Sequence, residues 1–196
     1  MINEFFDNIY CINLDFRTDR WAECEAEFAK HNINVERFSA FTPSDINFDI
    51  GVKAGEAALI MTHGKILQDA KEKGYNKILI LEDDVEFADD INECLLEIPE
   101  NWDIVYFGGN HHFGKPSPIT EKIAVANKTL AMHCVAINST IYDRMLEKID
   151  YADPIDVTYA HSLYLFNSYV FFPSKAWQRP SWSDLMGQHV DYGFLK

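Results

Sequence analysis

The stretch that most constrains this chain is KILILEDDVEF, residues 77–87. Ile78, Leu79, Ile80 and Leu81 follow one another with no alternation of polar and apolar positions, so the run predicts a strand buried on both faces. Such a strand needs helices packed on either side of its sheet, which points to an α/β architecture. The run then stops at Glu82, Asp83 and Asp84. In open α/β sheets ligands bind beyond the carboxyl ends of the strands, so these carboxylates fall where a ligand would sit. Crowded together they repel and raise one another's proton affinity. A divalent cation with a taste for hard oxygen ligands, manganese or magnesium, resolves that conflict, and such ions are commonly shared with substrate phosphates. The plainer alternative is a solvated loop leading to a helix start, a description that Asp89 and Asp90 fit.

The rest of the chain supports the same class. NIYCINL (8–14) reads as a buried strand. The helix predicted after it places Trp21, Cys24 and Phe28 on one stripe, with Thr18 as its expected cap. INVERFSAF (33–41) is a second strand, and residues 42–51 are expected as loop. GEAALIMTHGKILQDAKEKGY is the clearest helix, with Gly74 as its stop. DINECLLEI predicts a short helix and DIVYFGG a fourth strand. KIAVANKTLAMHCVAIN predicts two paired strands around Asn127 and Lys128. A helix capped by Ser139, a turn-then-helix from Asp153, and a last strand at SYVFFP complete the pattern, and the tail from Ser174 shows no period. Strands alternating with helices predict a Rossmann-type α/β sandwich: a mostly parallel central sheet, helices on both faces and a small antiparallel addition.

The totals narrow the partners. A formal net charge of −14 disfavours nucleic acid and anionic membrane surfaces, because both demand a Lys/Arg face. It does not disfavour a phosphate-bearing ligand that arrives with a cation. No apolar run is long enough for an integral membrane segment. Cys11, Cys24, Cys94 and Cys134 form no C-x-x-C pair and read as buried free thiols, which together with the N-terminal sequence predicts a cytoplasmic protein. The 196 residues suit a single domain, whether whole or one module of a longer chain.

At the level of motifs, CINLDFRTDRW, then the Gly-Glu helix running into KILILEDDVEF, then WDIVYFGG, resemble glycosyltransferase family 25, which includes lipooligosaccharide and collagen galactosyltransferases. ADPIDVTYA and QRPSWSDL resemble that family's Pro-x-Asp turn and its Gln…Ser-Asp tail, so the likeness runs in order along nearly the whole chain. The resemblance implies a GT-A-like fold and transfer of a sugar from a nucleoside-diphosphate donor, UDP-linked above all, to a glycan or other hydroxyl acceptor, with inversion. It equates Glu82-Asp83-Asp84 with the family's Asp-x-Asp-type motif: Asp84 as direct metal ligand, Glu82 as a second ligand or a contact to the donor ribose, and Asp83 beside them. Inversion by single displacement needs one base. Asp156, in the matched turn, is the first candidate and Asp184 the second; a helix cap is the structural alternative for Asp156.

The same resemblance puts Asn13, Arg17 and Arg20 near the nucleotide, with Arg17 as a phosphate partner or as a surface arginine bonded to Asp15 or Asp19. Glu56 and His63 share one face of the long helix and line the donor pocket, or His63 is a core residue. His111, His112 and His133 are weaker candidates, and Trp177, Trp182 and Tyr192 either stack on sugars or pack the tail. Ala57 and Ala58, and Phe16 in place of a residue more often polar or basic, depart from the family's usual residues. Two other classes compete: a catalytically silent sugar-nucleotide or glycan-binding module, and a metal-dependent phosphotransferase, which lacks its Asp-x-Asp after the first strand.

Overall fold

The structure, a computed structural model, describes residues 1–47 and 51–193. In chain order, helix α1 (Ile2–Phe5) leads to strand β1 (Asn8–Asn13), α2 (Thr18–His31) and β2 (Glu36–Ser39). Then come the long helix α3 (Ala54–Lys73), β3 (Lys77–Glu82), β4 (Val85–Phe87), β5 (Ile104–Tyr106), β6 (Ser117–Pro118), β7 (Ile123–Val125) and β8 (Cys134–Asn138). The last third carries α4 (Tyr142–Lys148), α5 (Ile155–Ser162), β9 (Ser168–Phe171), β10 (Ala176–Gln178), β11 (Ser181–Ser183) and β12 (Gln188–Val190). Of the loop expected over 42–51, Pro43–Asp45 form a 3-10 turn, and residues 48–50 lie outside the described residues.

One eight-stranded sheet organises the chain, in the order β2-β1-β3-β8-β5-β9-β7-β6. Strands β1, β2, β3, β5, β9 and β6 run one way; β8 and β7 run the other. The expected mostly parallel sandwich is what forms. On β3, Leu79 and Leu81 face the layer of α1 and α2, while Ile78 and Ile80 face α3, α4 and α5. All four are fully buried. At about 1.5–3 kcal/mol each, these side chains make β3 the anchor of both cores. No helix among the described residues is long and apolar enough to cross a membrane.

Both helix stops follow from backbone chemistry. Gly74 ends α3 at φ 73 and Asn32 ends α2 at φ 56, the left-handed conformation that these two residue types tolerate. Thr18 is the first helical residue rather than the cap of α2; Arg17 holds the cap position and makes no side-chain cap bond. Ser139 likewise lies inside a 3-10 turn, capped by Asn138, whose side chain accepts the Thr140 N–H at 3.2 Å.

Two expectations for later elements are corrected. The helix expected at DINECLLEI is only a 3-10 turn, Cys94–Glu97, because its buried side chains Ile91, Cys94 and Leu95 pin separate turns to the core. The strands flanking Asn127 and Lys128 do not pair. Lys128 makes the turn at φ 47, but β8 inserts between β3 and β5 while β7 pairs with β9. Burial explains the separation: Val135, Ala136 and Ile137 are fully covered and belong mid-sheet, whereas Val125 of β7 is exposed near the edge. The tail, which shows no period in the sequence, forms β10, which pairs antiparallel with β4, and the hairpin β11–β12.

The junction between sheet and tail is tight. The Phe107 carbonyl accepts the N–H groups of Lys175 (2.5 Å) and Ala176 (3.0 Å). A Cβ on Gly108 would stand 2.1 Å from the Ala176 carbonyl oxygen. Gly108→Ala is therefore expected to cost about 3 kcal/mol, read as a lower denaturation midpoint at unchanged slope. A cost under about 0.5 kcal/mol, the range of an ordinary surface change, would refute this packing.

Candidate active site

The acidic tip stands at the carboxyl end of β3, where the chain leaves the sheet for β4. Each carboxylate has a different environment. Both oxygens of Asp83 are occupied: Oδ1 by the Arg20 guanidinium at 2.5 Å and Oδ2 by the Asn13 amide at 2.5 Å. Asn13 is oriented in turn by Arg37, which donates to its Oδ1 at 2.6 and 2.9 Å. Asp84, only 7% exposed, meets Arg20 at 2.9 Å. The Gln178 amide nitrogen then donates to both Asp84 oxygens, at 3.3 and 3.4 Å, and to Glu82 Oε2 at 3.2 Å. Arg179 clamps the backbone, donating from its side chain to the Asp83 carbonyl and from its N–H to the Asp84 carbonyl, each at 2.8 Å.

One cation, Arg20, is thus set among Glu82, Asp83 and Asp84. Burial, followed by the charges of Asp84, Asp83 and Asp156, pushes the Glu82 carboxyl up to about 8. Burial also raises Asp83, against the pull of Arg20 and Asn13.

These groups open into a cavity of about 610 Å³. Of the residues singled out in the sequence, Asn13, Arg20, Glu56, Glu82, Asp83, Asp84, Asp156 and Asp184 line it. Asp156 lies in the first turn of α5, where its carboxylate accepts the Val157 N–H at 2.9 Å. Pro154, not Asp156, holds the cap position of that helix. The Ala131 N–H also points toward Asp156, at 3.5 Å, from a residue strained to φ 72. The Glu56 carboxylate accepts the Lys53 N–H at 2.9 Å and so caps α3 from within the cavity wall. Asp184 is ion-paired with Arg17, which stays outside the lining and also pairs with Asp19 at 2.9 Å.

His63 is not brought to the cavity. It is wholly buried against Tyr159, ring centroids 6.2 Å apart, and neither ring nitrogen has a partner among the described residues. Burial pushes its imidazole down to about 4. The unfolded chain, with an ordinary histidine, takes up this proton more readily. Stability is therefore expected to fall as pH drops from about 6.5 toward 4, by up to about 3 kcal/mol from this group. His63→Leu should flatten that part of a Tm-versus-pH curve, and an unchanged slope would refute the assignment.

The weaker candidates are dispersed. His133 is buried, with Nε2 3.1 Å from the Ala176 carbonyl oxygen, and His111 stacks edge-on against Phe172. Trp177 donates to Glu86 at 2.7 Å along the β4–β10 ladder, and the Trp182 ring meets His189. Of the three tail aromatics, Tyr192 lines the cavity. Sequence reasoning gave no role to Gln178, though it matched the Gln of the tail motif, and did not single out Arg179 or Arg37. The first two lie inside the QRPSWSDL segment, but an amide carries no charge or nucleophile to single it out.

A family profile described as glycosyltransferase family 25 (LPS biosynthesis protein) matches residues 6–152, well over half of the chain. The match ends before Asp156, Gln178 and Asp184. No curated protein matches the chain. Among solved structures, A197 from STIV aligns at 16% identity and TM-score 0.48, over 89% of this chain and 86% of that one. A glycosyltransferase involved in the glycosylation of the major capsid of PBCV-1 aligns at 14% identity and TM-score 0.44, over 74% of this chain and 66% of that one. On the profile match, the chain belongs to glycosyltransferase family 25 and is a sugar transferase.

Proposed function

We propose that the chain transfers a hexose, with inversion, from a nucleoside-diphosphate sugar to a hydroxyl of a glycan or similar acceptor, and that a divalent cation, manganese or magnesium, assists. The observation that carries this reading is the gathering of Glu82, Asp83 and Asp84 on the wall of one cavity. Asp83 is held by Arg20 and Asn13, Asp84 by Arg20 and Gln178, and Glu82 and Asp84 share the neutral Gln178 amide. No group of three Asp, Glu, His or Cys side chains among the described residues is arranged to cage a metal. Two carboxylates suit an ion that completes its shell with water and substrate phosphates, the usual habit of magnesium and its analogues. When bound, the ion supplies Lewis-acid stabilisation of the charge that develops on the departing diphosphate.

The chain's own groups supply the rest. Arg20 adds fixed positive charge beside the acids, and Asn13 with Arg37 holds the loop after β1 against them. From its place in the cavity wall Asp156 takes the proton of the acceptor hydroxyl as that oxygen bonds to the anomeric carbon and the sugar–diphosphate bond breaks. Asp184, neutralised by Arg17, suits the role less well. Wall residues come from Ile12 through Tyr192, which supports reading residues 1–196 as one glycosyltransferase domain. A UDP-linked donor follows from the likeness to galactosyltransferases, and four buried free thiols support a cytoplasmic setting.

The test is thermal-shift screening of nucleoside diphosphates and their hexose conjugates, with and without manganese, because a ligand of the native state raises Tm by mass action. A donor-specific, manganese-dependent rise is expected, followed by turnover with an acceptor and inverted anomeric configuration by NMR. No shift with any nucleotide under either condition would sink the proposal.

A further inference from the structure

Among the described residues, Gln178 is an uncharged cavity residue that touches both Glu82 and Asp84. It comes from β10, whose antiparallel pairing with β4 sets Gln178 opposite Val85, the residue after Asp84. This register lays its side chain across the tip. The amide nitrogen meets Glu82 Oε2 at 3.2 Å and the Asp84 oxygens at 3.3 and 3.4 Å, so its two hydrogens serve two carboxylates. An amide oxygen turned to the same place would be repelled. The backbone on either side is fixed independently, by the Trp177–Glu86 bond and by Arg179 N–H on the Asp84 carbonyl.

We infer that Gln178 is a positioning residue that holds Glu82 and Asp84 at one spacing and aims them at one cation. The inference rests on the proposed metal-assisted reading. The chemistry favours an amide at this place. A lysine or arginine would satisfy the same oxygens but would repel a divalent ion, and Arg20 already supplies the fixed cation on the other side of Asp84. An apolar residue would leave the two carboxylates free to swing apart under their mutual repulsion. Hydrogen bonds to metal-ligating carboxylates are a recurrent second layer of metal sites, and their loss typically costs about 10–100-fold in metal affinity or activity.

The experiment titrates manganese into the full chain with UDP present, by calorimetry or by the EPR signal of free manganese. Wild type, Gln178→Met, Gln178→Asn and Trp177→Phe are compared, with Tm recorded for each. Gln178→Met keeps the length and removes both donors. Its manganese affinity is expected to fall about 10–100-fold, with KM for manganese rising in parallel and kcat at saturating manganese changing far less. Gln178→Asn keeps the amide one methylene short and should fall between, which carries the test if Gln178→Met does not fold. Trp177→Phe perturbs the same strand away from the acids and should bind manganese as wild type does. Wild-type affinity in both Gln178 variants, or an equal loss in Trp177→Phe, overturns the positioning role. Failure of wild type to bind manganese with UDP overturns the metal reading itself, and this role with it.

Discussion

Asp84→Asn is expected to abolish both the manganese-dependent thermal shift and turnover while leaving the chain folded. The side chain is 7% exposed and accepts from Arg20 and Gln178. Asparagine preserves its shape and one acceptor oxygen but removes the charge. Arg20 keeps Asp83 as a partner at 2.5 Å, so the guanidinium is not stranded. Removing one of several crowded carboxylates also relieves repulsion, and the change in folding stability should stay within about 1 kcal/mol. Catalysis loses far more. Stabilisation of several kcal/mol at the leaving group corresponds to roughly a thousandfold or more in rate. Turnover within tenfold of wild type, measured as UDP release with saturating manganese, would falsify the role of Asp84.

Asp156→Asn separates the chemical step from binding. The substitution leaves the side chains of Glu82, Asp84 and Gln178 in place, so the donor-dependent rise in Tm should persist nearly in full. The amide cannot take the acceptor's proton, and kcat should fall by about 10²–10⁴, the usual contribution of a positioned base. Val157 and Ala131 direct their N–H groups at this carboxylate, and the asparagine oxygen can still accept them. The loss should therefore appear in kcat and hardly in stability. If Asp156→Asn transfers sugar at the normal rate while Asp184→Asn does not, the base is Asp184 and the Arg17 ion pair opens during turnover.

The parts of this structure that local chemistry decides were readable before any coordinates. Ile78 to Leu81 could only be a strand covered on both sides, and Gly74 could only end α3 in the left-handed conformation it adopts. What escaped depends on partners distant in sequence. Nothing in MHCVAIN says that it will slide between β3 and β5 instead of pairing with its neighbour; that is settled by which gap can bury Val135 to Ile137 completely. Strands β4 and β10 have three residues each, too short for a period to register, and exist because they pair with each other. In the site, carboxylates announced themselves by crowding, and the Glu82 to Asp84 run was legible for that reason. His63 showed the opposite limit: helical spacing put it on the same face as Glu56, but depth in the core, which spacing does not encode, took it out of the cavity. Gln178 could be matched to the tail motif, but its role could not be read, because that role lies in what it touches.

Arg17 and Asp184 stand 167 positions apart along the backbone, Arg20 and Trp182 162 apart, and Gln178 and Glu82 96 apart. Loops of that span are slow to close and close only after nearer contacts have formed. The cavity wall is thus closed by contacts between the two ends of the chain, with Ser181, Ser183, Asp184 and Val190 brought to it by the β11–β12 segment. Proteolytic nicking of that segment is expected to open the cavity while leaving the eight-stranded sheet, to which neither strand belongs, in place.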